Sequence, residues 1–221
     1  MPIHIIWGND INASNKEIEK IINIHVSKVW KSLNISRFNG EDNTNVFPAL
    51  AETQSPPMGD GCRIVILYNN PIFNYKDEEL KNYFERIAQK IPESSYLILQ
   101  NSTKPDSRIK STKFLKQLLS EGKAIESSYN TPDIWDEQEQ IHYVNAIAKN
   151  INIKIDNNAV STLIACLGLD SFKLNNELEK AKLYLSAKNN NSDSELILTE
   201  NDIKKLFKNH LSSLFSILDL L

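Results

Sequence analysis

The run Arg63-Ile64-Val65-Ile66-Leu67-Tyr68 limits the possible folds of this chain more than any other feature. It is rich in β-branched residues and almost wholly apolar, so as a strand it needs cover on both faces. Shorter apolar runs recur at His4–Trp7, Asn34–Phe38, Tyr96–Leu99 and, more weakly, Ala124–Ser127. Amphipathic stretches with helical spacing lie between them. The first has a capping box at Ser14-Asn15-Lys16-Glu17 and an apolar face of Ile18, Ile21, Ile22, Val26 and Val29. The others are a short helix over 45–53 stopped by Ser55-Pro56-Pro57, a helix over 77–90 stopped near Pro92, and a cationic helix over 111–120 ended by Gly122. Parallel strands need crossover helices, and the economical arrangement is an α/β layer: a parallel five-stranded sheet with flanking helices and right-handed crossovers.

After Thr131-Pro132 the strand signals nearly vanish. The spacing predicts a helix over 136–150, one from Asp156 to Gly168, and one from Asp170 with Leu174, Leu178, Ala181 and Leu185 on a single stripe. A polar loop over Lys188–Asp193, a short helix from Thr199 through Phe207 and a further helix beginning near Leu211 complete the pattern. We therefore expect an α/β domain over residues 1–131, a small helical domain over 132–210 and the start of a C-terminal helix over 211–221. A chain of 221 residues accommodates two domains of roughly 100–150 residues each.

With 41% hydrophobic and 24% charged residues, the composition argues against wholesale disorder. A formal charge of −3 excludes a uniformly basic nucleic-acid-coating protein and leaves room for a local basic face. No apolar run approaches the ~20 residues of a membrane span, and the start, MPIHIIWGND, has neither the cationic region nor the cleavage site of a signal peptide. Cys62 and Cys166 are the only cysteines and form no CxxC pair. A disulfide framework and a four-cysteine zinc site are excluded, and the expected setting is a reducing cytoplasm with no membrane partner.

Nucleotide hydrolysis is the first chemistry to test against this layout. A phosphate loop would lie between the first strand and first helix, yet the stretch Gly8-Asn9-Asp10-Ile11-Asn12-Ala13-Ser14 holds one glycine and no lysine. The strand RIVILY ends in Asn69-Asn70, where magnesium-holding acids would be needed. His4, His25, His142 and His210 show no metal-binding spacing, and no nucleophile has an activating partner. No catalytic residue, cofactor or metal ligand is nominated.

Two features remain. From Lys104 to Lys116 there are five cations and one acid, just after the fourth strand at the carboxyl edge of the sheet, where open α/β domains bind ligands. The cluster reads either as an ordinary solvated helix face or as a set of phosphate contacts. The second feature is Ser55-Pro56-Pro57-Met58-Gly59-Asp60-Gly61, an apolar tip bracketed by prolines and glycines. Its Met58 is either packed beneath the loop or offered as a small apolar plug to a partner's pocket.

Ile5-Ile6-Trp7-Gly8-Asn9-Asp10, Pro56-Pro57-Met58-Gly59 through Arg63-Ile64-Val65, the basic run from Lys104 to Lys113, and Asn176-Glu177-Leu178-Glu179-Lys180-Ala181-Lys182-Leu183-Tyr184 together resemble the delta subunits of the bacterial DNA polymerase III clamp loader, in cyanobacterial-like wording. The resemblance implies an AAA+-like α/β domain without a working phosphate loop, then a small helical lid. It also implies a mechanical role in DNA replication: binding and opening the sliding clamp without ATP hydrolysis of its own. The chain would be a non-catalytic subunit of a DNA-directed DNA polymerase holoenzyme. Its partners would be the sliding clamp, the ATPase and delta-prime-like loader subunits, and primer-template DNA. Carried onto this sequence, the clamp-binding pair is Pro57 and Met58, where the family more often has a larger pair ending in Phe. The DNA-binding residues would be Lys104, Arg108, Lys110 and Lys113. Family members usually continue into a helical collar domain, which is expected to be missing from a chain ending at Leu221. Two alternatives stand beside this reading. One is a degenerate α/β nucleotide- or small-molecule-binding enzyme using Asn9, Asp10, Asn69, Asn70, Gln100 and Asn101. The other is a simple DNA-binding module.

Overall fold

The computed structural model describes residues 2–74, 76–188 and 196–207. The chain divides into two compact units, residues 1–130 and 131–221. The expected polar loop at 189–193, the helix from Leu211 and His210 lie outside the described residues.

In the first unit, β1 (Ile3–Trp7) leads to α1 (Ile11–His25), the single-turn α2 (Lys31–Asn34) and β2 (Ile35–Asn39). A 3-10 turn at Asn43–Asn45 precedes α3 (Val46–Glu52) and β3 (Arg63–Tyr68). A second 3-10 turn at Pro71–Phe73 precedes α4 (Glu78–Ala88), β4 (Ser95–Asn101), α5 (Lys110–Ser120) and β5 (Ala124–Ser128). The five strands form one parallel sheet in the order β2-β3-β4-β1-β5. This is the parallel five-stranded α/β layer expected from the alternation of strands and helices.

Strand pleating sends alternate side chains to opposite faces, and the RIVILY strand fills two cores at once. Val65 and Leu67 join Ile5, Leu97 and Leu99 beneath Leu50, Phe84 and Leu115 of α3, α4 and α5. Ile64 and Ile66 join Ile6 and Ile98 against Ile18, Ile21 and Ile22 of α1. Each fully buried side chain of this size contributes about 1.5–3 kcal/mol of transfer free energy.

The start and end of α1 differ from the expected capping box and apolar face. Asp10, not Ser14, is the N-cap, and its carboxylate accepts from the Ala13 amide at 2.9 Å. Ser14 therefore falls inside the first turn and is wholly buried. The helix stops at His25, and Val26 turns extended to bridge to Gly61. Val29, read as part of the apolar face, is 80% exposed because the helical period no longer applies there.

The second unit packs α6 (Glu137–Asn150), α7 (Asn157–Leu167), α8 (Ser171–Lys188) and α9 (Glu200–Leu206) around Val144, Leu163, Leu174, Leu178 and Ile203. The predicted stripe on α8 is the buried one: Leu174, Leu178, Ala181 and Leu185 are all shielded. Two-residue strands β6 (Lys154–Ile155) and β7 (Ile197–Leu198), too short to leave a sequence period, pair in parallel. Among the described residues, no helix is long and apolar enough to cross a membrane.

Candidate functional site

The apolar tip lies in the loop between α3 and β3, and its backbone is held from three sides. Asn34, the last residue of α2, is wholly buried. Its carboxamide accepts from the Met58 amide at 2.7 Å and donates to the Met58 carbonyl at 2.9 Å. One side chain thus does what a neighbouring strand would do, satisfying both backbone groups of the tip residue. Arg63, at the start of β3, donates from Nε and Nη2 to the Pro56 carbonyl at 3.3 and 3.2 Å, and its Nη1 pairs with Glu52. On the third side, Gly59 lies against the Trp30 indole. At φ +62°, a Cβ there would come within 2.3 Å of Trp30 Nε1, so only glycine fits. The far end of the loop is tied by the Cys62 amide donating to the His25 carbonyl at 2.9 Å.

With its backbone fixed, the loop displays the Met58 side chain at 52% exposure, while Pro57 is half-buried. Of the two readings of Met58, the packed one does not hold. The sequence pattern did not mark Asn34 or Trp30 as part of this site. Asn34 read as the first residue of a strand, and the group it binds lies 24 residues downstream.

The basic segment is built differently. The Lys104 ammonium sits 5.4 Å over the Trp7 ring, a cation–π contact. Arg108 forks onto Asp106, with Nη2–Oδ2 at 2.7 Å and Nε–Oδ1 at 3.0 Å. Those charge-assisted bonds hold the Asp106 carboxyl down at about 2. Lys110 reaches Glu78 at 3.2 Å. Lys104, Lys113 and Lys116 have no carboxylate partner among the described residues. The four nominated cations therefore divide into two without a carboxylate partner among the described residues, Lys104 over the Trp7 ring and Lys113, and two that are ion-paired, Arg108 and Lys110. Ser111 and Thr112 turn inward, donating to the Ile72 carbonyl at 2.7 Å and the Phe73 carbonyl at 3.3 Å, which docks the start of α5 on the preceding turn. No side chain caps α5 and no acid lies in its first turn, so the positive end of the helix dipole adds to the cationic field there.

At the β1–α1 turn, two of the amides that would face a phosphate are bonded within the protein. The Gly8 amide donates to the Asn101 carbonyl at 3.1 Å and the Asp10 amide to the Tyr129 carbonyl at 3.0 Å. The Tyr129 backbone packs so closely that a Cβ on Gly8, at φ +137°, would lie 1.8 Å from its oxygen. Of the six polar residues that could have served a small ligand, Asp10, Asn70, Gln100 and Asn101 are buried. Asn70 and Asn101 bind each other: the Asn70 amide donates to Asn101 Oδ1 at 2.7 Å and Asn101 Nδ2 to the Asn70 carbonyl at 3.0 Å. These two carboxamides close the ends of β3 and β4 against each other.

A profile of the family described as DNA polymerase III, delta subunit, matches residues 4–127. No curated protein matches the chain. Among solved structures, the Bacillus subtilis DNA clamp loader delta protein superposes with a TM-score of 0.70 at 20% identity, covering 93% of this chain and 58% of that one. Two Thermotoga maritima RuvB variants superpose with TM-scores of 0.47 at 12% and 13% identity, covering 95% and 93% of this chain and 62% of theirs. The chain thus spans 58% of the length of the Bacillus protein, and at 20% identity that likeness is one of fold.

Proposed function

We propose a clamp-opening role for this chain, which belongs to the DNA polymerase III delta-subunit family. In this reading Pro57 and Met58 enter an apolar pocket of the sliding clamp and hold one ring interface open while DNA enters. The observation that carries it is the braced exposure of Met58, half-exposed above a backbone locked by Asn34, Trp30 and Arg63. A fixed backbone removes the cost of ordering the loop on docking, so only the rotamer freedom of the methionine side chain is left to lose. Opening requires only that this face fit the open ring better than the closed one; the difference in affinity shifts the ring's equilibrium.

The chain works without nucleotide chemistry of its own. Its Gly8 and Asp10 amides are already bonded to protein carbonyls, which leaves them unavailable to a phosphate. ATP is then hydrolysed by sister subunits, and a delta-prime-like subunit completes the loader. Residues 132–210 act as the small helical lid. Lys104 and Lys113 offer phosphate contacts to primer-template DNA, and Arg108 and Lys110 join them by exchanging Asp106 and Glu78 for phosphates.

Pull-down and surface-plasmon measurements of the whole chain against the cognate sliding clamp test this reading. Saturable binding is the expected result; no binding at micromolar concentrations would sink it. In parallel, a clean preparation is expected to show no ATPase activity, and measurable turnover would overturn the assignment of hydrolysis to other subunits.

A further inference from the structure

Val29 and Leu33 are apolar, belong to no core, and are 80% and 53% exposed. Scattered exposed apolar residues are ordinary, but these two are coupled to the tip. Trp30, next to Val29, carries the indole against Gly59, and Asn34, next to Leu33, holds both backbone groups of Met58. The segment bearing them is ordered. The Trp30 amide donates to the Ser27 carbonyl at 3.1 Å, and the Leu33 and Asn34 amides both donate to the Trp30 carbonyl at 3.0 Å. Its Lys31 is engaged by Glu19 at 3.2 Å. Val29, Leu33 and Met58 thus sit on two short segments locked together by Asn34 and Trp30, with their apolar side chains exposed.

We propose that Val29 and Leu33 are the second half of the clamp-contacting surface. Met58 is the plug, and the 29–33 turn is an apolar collar that seats on the clamp beside the pocket. The proposal rests on the reading that Met58 binds the clamp. Two points favour this occupant. A stable protein–protein contact needs roughly 800 Å² on each side, far more than one methionine tip supplies. A plug also gains its full effect only when surrounding contacts exclude water from it. The collar is coupled to the Met58 backbone through Asn34 and Trp30, so a partner docked on the plug also bears on the segment that braces it. Its chemistry calls for an apolar shelf on the clamp next to the pocket, with no charged partner required.

The test compares wild type, Met58→Ala, Val29→Asp and Leu33→Asp by titration with the sliding clamp, with the melting temperature of each recorded. Each aspartate variant is expected to bind about tenfold more weakly, from the lost burial of one aliphatic side chain, with little change in melting temperature because both positions are exposed. Hydrogen exchange on the wild-type chain needs no variant, and is expected to show amides 28–34 slowed by the clamp together with amides 56–61. If Met58→Ala weakens binding while both aspartate variants bind like wild type and 28–34 exchange unchanged, the collar is overturned and the plug stands. If the wild-type chain does not bind the clamp at all, both fall, and that result is distinguishable because it precedes any variant.

Discussion

The tip at Pro57–Met58 and the basic segment from Lys104 to Lys116 lie at opposite edges of one sheet. The tip leads into the first residue of β3, and the basic segment follows the last residue of β4. With a six-residue strand between them, the two edges are roughly 20 Å apart, enough for one domain to grip two different partners. They differ in what is held. At the tip, distant residues hold the backbone and leave the side chain free. In the basic segment, α5 holds its own backbone from Lys110 onward, while acids hold two of the side chains. A site of the first kind is ready to bind. One of the second kind must trade internal partners for external ones, so part of its binding energy is offset by the pairs it gives up.

Asn34 is the residue on which the difference between the two regions most depends. Asn34→Ala removes the partner of both Met58 backbone groups, at a cost of about 1–3 kcal/mol for each group left unsatisfied. The expected outcome is a melting temperature lowered by several degrees and a loss of clamp affinity at least as large as that of Met58→Ala. An Asn34→Ala chain that binds the clamp like wild type would mean that the brace has no functional part. Met58→Ala comes next. Burial of a methionine side chain is worth about 1.5–3 kcal/mol, so clamp binding should weaken about ten- to a hundredfold, with the melting temperature almost unmoved. A large fall in melting temperature with clamp affinity intact would place Met58 inside the fold.

Smaller effects separate the cations that lack a carboxylate partner from the ion-paired ones. In the assembled loader, replacing Lys104 and Lys113 by alanine should reduce the magnitude of the log K against log salt slope by about 1.8, at roughly 0.9 per phosphate contact. Replacing Arg108 and Lys110 should reduce it less, because each already has a carboxylate partner. Equal slopes for the two double variants would mean that the carboxylate partners of Arg108 and Lys110 make no difference to DNA binding. The smallest effect is Asp106→Asn, which releases Arg108 and should steepen the slope by up to about 0.9. The pH behaviour of that pair has a definite sign. The folded carboxyl lies at about 2, below its ordinary 3.8, so the contribution of the pair is present above 3.8 and lost as pH falls toward 2. DNA binding measured between pH 8 and 5 should therefore show no step from Asp106.

The elements whose order defines the sheet were legible because they depend on local periods. RIVILY could be read as a strand covered on both faces, and Leu174, Leu178, Ala181 and Leu185 as a buried stripe, from spacing alone. Local signals failed where a competing neighbour decided the outcome: Asp10 took the N-cap from Ser14, and the bridge from Val26 to Gly61 ended α1 before Val29 could turn inward. At the candidate site, the unusual residues showed in the sequence, but their standing did not. Met58 stood out between prolines and glycines, and the cations stood out by density. Whether each was free depended on Asn34, 24 residues before Met58, and on Glu78, 32 residues before Lys110. A side chain's period is set by its own backbone, so the sequence alone determines it. The partner of a polar group is set by whichever distant group the closed sheet brings within about 3 Å, and only the tertiary structure decides that.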